Sequence, residues 1–563
     1  MTDISHVWSR RIGRRAVIRG VGVGSVGLAG AALIGCGSSP SASTPAGGNA
    51  TGGAPGASNA PAAEKPQMSE AFVAVQTRDA PSLEPLDSNV YTIPERIGLV
   101  YPKLLYSALE DPKDPTSIKW VPSWATQSFE QADGGKTLTF KLKPGIKYQN
   151  IAPLNGREFT SADVKFSIDR YMKHPKSTFT NRFSDIDTIE TPDKQTVVLK
   201  LKRPSRYLIS SLAAETALLT PPEIENDYKT KVIGPGPYIH EKYLQGEGST
   251  LSKNPDFIDA KNIWFNKFLF KVMPDAASRN AALKTGQVDF GIGGLTQADL
   301  KGVEGPNVTQ YPLLSSSGTN ITWNLKNPKW ADYRIRLAMS KAFDRQAYID
   351  QTLQAQGRWS GIVQVDFGKW ALSEAEVKAH NVQKFDVAEA KKLFDAAGGK
   401  PGMTVEYYYS SNGTTDGVQA QFLQKAWDTN LGIKMTPKTE DYSIYLPKAY
   451  LGGYADMCTT SYGIPNWMEH LFAPYLKGGN RNGSNFEDPE VTKMMDELKS
   501  TLDDREAVEK SKKIQLFIWE KHLPMTQRPT PTTTGVYNAK LRNFVTGNHP
   551  PGLEWTLPAW KTK

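Results

Sequence analysis

The sequence predicts an α/β protein. Two observations carry that expectation. Short stretches alternate apolar and polar residues with the period of a strand, and longer stretches repeat apolar residues with the period of a helix. The two kinds follow one another along the chain, as they do in α/β folds.

The elements read in order. Thr137 to Lys143 places Leu138, Phe140 and Leu142 on one face of a strand. Thr160 and Asp163 make a capping-box pair ahead of Val164, Ile168 and Met172. Thr196 to Lys202 alternates again through Val197, Leu199 and Leu201. Asp332 opens a helix with Ile335, Ala338, Met339, Ala342 and Phe343 on one stripe. Asp386 and Glu389 cap another, with Ala390, Leu393, Phe394 and Ala397 inward and Gly398 as its stop. Val405, Tyr407 and Tyr409 mark a strand. Asp488-Pro489 opens a long helix through Val491, Met494, Met495 and Leu498. A last amphipathic stretch holds Ile514, Phe517 and Ile518.

The chain has 563 residues, more than one ordinary domain holds. Hydrophobic residues make up 39%, enough for a large core. A mean hydropathy of −0.45 speaks against a polytopic membrane protein. The net charge is +9, but Arg10, Arg11, Arg14, Arg15 and Arg19 supply five of the basic residues near the N-terminus. Elsewhere the charges alternate in sign, without the basic stripe that nucleic acid needs.

Residues 1–36 read as an export signal. The basic cluster is followed by an uncharged, Gly-rich run from Gly20 to Cys36, too short for a comfortable membrane span. Arg14-Arg15-Ala16-Val17-Ile18-Arg19 resembles a twin-arginine signal, with Arg10–Arg11 as a second candidate pair. Leu33-Ile34-Gly35-Cys36 resembles a bacterial lipobox. That likeness implies acylation at Cys36 and anchoring to the outer face of the cell membrane, or in the periplasm. Residues 37–67 are Ser, Gly, Pro and Ala-rich and read as a flexible tether. Gly22-Val23-Gly24-Ser25-Val26-Gly27 satisfies a dinucleotide-binding pattern but lacks the strand that must precede it. Cys458 is left as a lone thiol.

Several longer segments resemble one known family. They are TLTFKLKPGIKYQ with REFTSADVKFSIDRYM (137–172), GPGPYIHEKYLQGEGSTLSKNPDF (234–257), AALKTGQVDF (281–290) and ITWNLKNPKWADYRIRLAMSKAFDRQAYI (321–349). FDVAEAKKLFDAAG and LGIKMTP follow in the same order. Together they are similar to the extracellular solute-binding proteins of family 5, the peptide/nickel-type receptors of ABC importers. The likeness covers nearly all of residues 70–530. It implies a two-lobed, periplasmic-binding-protein-like fold of class II, in the large cluster with an extra subdomain, a hinge and an interlobe cleft. Lobe I is expected over 68–318 with the extra subdomain, lobe II over 319–529, and a C-terminal return to lobe I over 530–563. The implied function is capture of a small solute, a peptide first, for delivery to permease subunits, by a monomer without cofactor or metal.

In peptide-binding members an Asp soon after a G-x-y-D-m strand often pairs with the peptide's amino group. Here that strand is Gly453 to Met457, and Ser461 falls at the Asp position. A buried ammonium needs a compensating charge, so Ser461 weakens this route and raises an oligosaccharide as the alternative ligand. Tyr462 and Trp467 from the same loop are expected at the cleft. Trp323 and Asn324 are expected at the crossover into lobe II, Trp359 after that lobe's first helix, and Tyr91 from lobe I. Aromatic faces beside amides suit sugars and ring-bearing ligands as well as peptides. Core packing is the competing reading for each aromatic.

A secreted, membrane-anchored hydrolase is the alternative from another class, and a signalling or adhesive receptor is a third. The seven His are scattered, with no H-E-x-x-H and no G-x-S-x-G elbow. Glu469–His470 is the one tempting pair, but neighbours on a helix point apart. A binding protein without catalysis is the expectation.

Overall fold

A computed structural model describes residues 64–77, 79–80, 82–86, 92–110, 117–291, 295, 297–313, 317–411, 416–463, 466–544 and 556–562. Cys36, Arg14, Arg15 and Tyr91 lie outside the described residues. The fold is mixed α/β, built on three sheets of four or more strands.

The largest sheet has seven strands, in the order Val308–Leu313, Thr533–Asn538, Phe290–Gly291, Ser69–Gln76, Phe265–Val272, Gly248–Lys253 and Tyr238–Leu244. Ser69–Gln76 lies near its centre and runs parallel to both neighbours. Phe72, Ala74 and Val75 are fully buried there, so the strand is apolar on both faces, as a covered parallel strand must be. The GPGP element binds against this lobe by close backbone approach. A Cβ on Gly234 or Gly236 would fall on the Val100 carbonyl, which accepts from the Gly236 N–H at 2.9 Å.

A four-stranded antiparallel sheet follows the order Thr126–Ala132, Thr137–Leu142, Thr196–Leu201 and Ile186–Asp193. Helix Ser161–Lys173 packs on it through Val164 and Ile168. The Thr160–Asp163 capping box is formed: each side chain serves the other residue's backbone N–H.

The third sheet has five strands, ordered Lys434–Glu440, Thr404–Ser410, Met457–Gly463, Ser317–Trp323 and Met525–Arg528. Val405, Tyr407, Met457, Ile321 and Trp323 face a core closed by helices Tyr333–Lys341 and Asp416–Leu431. Asp332, Asp386 and Asp488 each cap the helix the sequence assigned to them. Gly398 ends the Val387–Ala396 helix at a φ of +80°, a conformation that favours glycine. Cys458 is buried in this lobe, and burial pushes its thiol well above the usual range. No helix among the described residues is long and apolar enough to cross a membrane.

The structure corrects the placement of Trp323. Its indole is fully buried, with ring centroids 5.2 Å from Trp330 and 6.4 Å from Trp427. Every face of the ring is spent on the core, because Trp323 alternates onto the helix-covered side of its strand. Trp323→Ala is therefore expected to cost about 3–5 kcal/mol of stability in chemical unfolding.

Candidate ligand cleft

Strand direction locates the site. The chain passes between the seven- and five-stranded sheets twice, from Leu313 to Ser317 and from Arg528 to Thr533. In the five-stranded sheet Thr319 lies opposite both Arg528 and Ser461, and Ser317 opposite Gly463. Thr404–Ser410 and Lys434–Glu440 run parallel to Met457–Gly463, so all three end at the edge where the passages leave. In the seven-stranded sheet Leu313 pairs with Thr533. Phe290–Gly291 is antiparallel to Thr533–Asn538 and parallel to Ser69–Gln76, so both of these strands also end there. Each sheet thus turns the C-terminal ends of its parallel strands toward the passages. In open α/β sheets that edge is where ligands bind.

On the five-stranded side, Thr319, Ser461 and Arg528 form one row across the sheet. Behind them the Tyr407 hydroxyl and Thr459 Oγ1 share a hydrogen bond of 2.7 Å. The Tyr445 hydroxyl donates to the Thr459 carbonyl, and the Tyr450 hydroxyl donates to the Ser461 carbonyl at 2.8 Å. On the seven-stranded side the edge carries charge. Gln76, the last residue of its strand, donates to Glu95 Oε2 and accepts from Arg96 Nε at 3.1 Å. Arg96 Nη2 meets Asp79 at 2.6 Å. Burial pushes the Glu95 carboxyl up to about 7, against the opposing pull of Gln76 and Arg96. Burial and Arg96 push His240 down to about 4.

The sequence-predicted residues divide between the two ends of the sheet. Ser461 is exposed at the passage edge, and the Tyr462 backbone pairs with Gly318 beside it. Trp359 also lies near a passage: Arg358, its neighbour, pairs with Thr530. Its Nε1 donates to Gln346 Oε1 at 3.4 Å. Asn324 is at the opposite edge with Trp323, one strand length from the passage. Its Nδ2 donates to the Tyr454 carbonyl at 2.6 Å, and its Oδ1 accepts from Asn485 at 3.0 Å. It is a buried brace and not a cleft residue. Asp456 sits at that far end too, accepting from the Glu406 N–H and paired with Lys329, each at 2.8 Å. Trp467 stacks on Trp370 at 4.3 Å and is 6% exposed, so its ring is core. Periodicity gave no sign of Arg528, Gln76 or Glu95, since none of them breaks an apolar pattern.

A second zone of contact joins residues 178–210 to lobe II. Glu469 Oε1 accepts from the Tyr207 hydroxyl and pairs with Arg182 Nε, both at 2.8 Å. Arg206 donates to the Thr501 carbonyl at 2.9 Å and pairs with Asp504 at 2.8 Å. Asn466 Nδ2 donates to Ser210 Oγ at 2.7 Å. Glu469 and His470 are both buried, and His470 packs on the Phe367 ring, so the adjacent pair does not act together. A cavity of about 190 Å³ lies in this seam, lined by Arg182, Tyr207, Phe472 and Lys499 among others. It is smaller than the roughly 300–1,000 Å³ of ordinary ligand clefts, and Arg182 on its wall is already paired with Glu469.

Comparison with known proteins agrees with this geometry. The family model for bacterial extracellular solute-binding proteins, family 5, matches residues 119–484. The chain belongs to that family. Di/tripeptide-binding protein 3 of Pseudomonas aeruginosa is 25% identical over 75% of this chain and 84% of its own length. The oligopeptide-binding protein of Bacillus subtilis, solved with a nonapeptide, superposes with a TM-score of 0.76 at 19% identity. That match covers 89% of this chain and all of the other. The protein AgaA of A. tumefacien R10, solved with agropinic acid, gives a TM-score of 0.74 at 21% identity, covering 88% and 99%. The two-lobed architecture of these family 5 relatives is the one built here by the two sheets and their passages.

The Glu95 shift gives a pH test. A carboxyl raised above its ordinary 4.5 contributes stability that is fully present below 4.5 and is lost as pH rises through about 7. Wild-type unfolding free energy should fall across that window by on the order of 3 kcal/mol through this group. Glu95→Gln should flatten the fall, as measured by denaturant unfolding at several pH values.

Proposed function

We propose that this chain is the solute receptor of an ABC-type importer. It captures a small solute between its lobes and presents the closed form to membrane permease subunits. The observation that carries the reading is the convergence of both chain passages and the parallel strand ends of both sheets on one edge. Such a cleft closes by a hinge at the passages. Lobe I then spans 68–318 with the return over 530–563, and lobe II spans 319–529. Peptide is the first ligand class, supported by the di/tripeptide-binding relative and the nonapeptide-bound structure. The solute is bound and released unchanged.

The test is a thermal-shift screen of the purified protein with dipeptides, tripeptides, longer peptides and oligosaccharides. A ligand at a hundredfold its dissociation constant adds about 2.7 kcal/mol to stability. Short peptides should raise the transition. A response to sugars alone would replace the peptide assignment with the oligosaccharide one, and turnover of a bound compound would replace the receptor with a hydrolase.

We also propose that the protein is exported through Arg14–Arg15 and held at the outer face of the membrane by acylated Cys36, on the tether of residues 37–67. Cys36→Ala should move the protein from the membrane fraction to the soluble one. Unchanged retention would contradict lipidation.

A further inference from the structure

The seam between residues 178–210 and lobe II carries one polarity. Arg182 pairs with Glu469 at 2.8 Å, Arg203 with Asp496 at 2.9 Å and Arg206 with Asp504 at 2.8 Å. The three cations flank strands Ile186–Asp193 and Thr196–Leu201 of the four-stranded sheet, and the three acids stand on lobe II. Arg203 also takes Asp185 on its own side at 2.8 Å. Lys499 of lobe II lies over the Tyr207 and Phe472 rings, 3.6 Å from Asp496. Surfaces of opposite charge attract before they touch and select one alignment when they do.

The centre of the seam is dry. Tyr207 is buried, its ring meets Phe472 edge-on with centroids 4.7 Å apart, and it packs into the apolar core of lobe II. Its hydroxyl donates to the same Glu469 carboxylate that pairs with Arg182. The rim is amide and carbonyl. Asn181 Nδ2 donates to the Gly478 carbonyl at 2.8 Å, and Asn480 Nδ2 returns a bond to the Thr178 carbonyl at 3.2 Å. Arg206 adds the carbonyls of Thr501 and Leu502. A Cβ on Gly135 would fall 2.7 Å from Leu502 Cδ1, so the turn after Thr126–Ala132 touches lobe II as well. No strand ladder joins the two sides. The seam can therefore part as a unit, and each polar group then exchanges its partner for water at a modest cost.

We propose that this seam is a latch, formed when the lobes are together, that keeps a fraction of the unliganded protein shut. The proposal rests on the reading of the chain as two lobes that close about the passages. Glu469 is its centre, because it answers Arg182 and Tyr207 at once. Arg206 and Asp504 hold its rim. The latch needs no solute in contact with it. A solute that binds the closed form gains affinity in proportion to the fraction already closed, so these residues set the strength of capture without touching what is captured.

The test compares wild type with Glu469→Gln and Asp504→Lys. Glu469→Gln keeps the shape of the side chain and removes the charge facing Arg182, and Asp504→Lys sets a cation against Arg206. Spin labels at the exposed positions Glu190 and Lys391 report the separation of the two sides without ligand. Wild type should show a short-distance component, and its ratio to the long one should fall about fivefold in each variant. If Glu469→Gln fails to fold, Asp504→Lys decides, since that side chain is 56% exposed in the wild type. A wild type without the short component, or variants with an unchanged distribution, overturns the latch. Calorimetric titration with trialanine should then show binding weakened by a like factor, while the saturated variants return to the short distance. Binding that is not weakened overturns the role in capture. If trialanine does not bind wild type, the peptide reading fails and the distances without ligand still decide the latch.

Discussion

The chain passes between two sheets at one edge, and the rest of the molecule is arranged around that constraint. Because Leu313 pairs with Thr533 and Thr319 with Arg528, the two passages lie side by side and their strands are locked by ladder hydrogen bonds. Parallel strands on each side can then end only toward the passages or away from them. Here they end toward them on both sides, so loops, helix starts and side chains free of the ladders collect in the same crevice. The cores lie behind this edge. The Trp323–Trp330–Trp427 group belongs to the back of lobe II, and the Phe72–Phe268 stack belongs to the larger sheet.

The polar groups sort by the same geometry. Far from the passages Asp456 takes Lys329 and the Glu406 N–H, and Asn324 bridges Tyr454 and Asn485, while the buried indole N–H groups of Trp323 and Trp330 at the same end find no partner. In the seam with residues 178–210 they are answered across lobes, as Glu469 answers both Arg182 and Tyr207. At the passage edge the balance is incomplete. Glu95 is held in a setting that disfavours its charge.

Much of the scaffold was legible because it is local. The caps at Thr160, Asp332, Asp386 and Asp488 and the alternation at 137–142, 196–201 and 404–410 need only short-range rules, and each formed as read. Ser461, singled out in the sequence by its spacing from Pro465, lies opposite Thr319 near the end of its strand. The misplaced residues depended on register. Trp323 and Asn324 were expected at the entrance to lobe II, but strand pairing starts at Ser317 and carries them to the opposite edge. Trp467 was drawn into the core by Trp370, a partner nearly a hundred residues away that no periodicity reveals. Arg528 was hidden by a polar strand, Thr526-Gln527-Arg528, whose four-residue ladder has no alternation to read.

The central claim is that solute capture closes two lobes about paired passages. It is tested most directly by spin labels on exposed positions of the two lobes, one at Glu190 and one at Lys391, with the inter-label distance measured with and without a binding solute. The account predicts a broad or long distance distribution without ligand that collapses to a single shorter one on binding. An unchanged distribution while calorimetry shows the same ligand bound would contradict it.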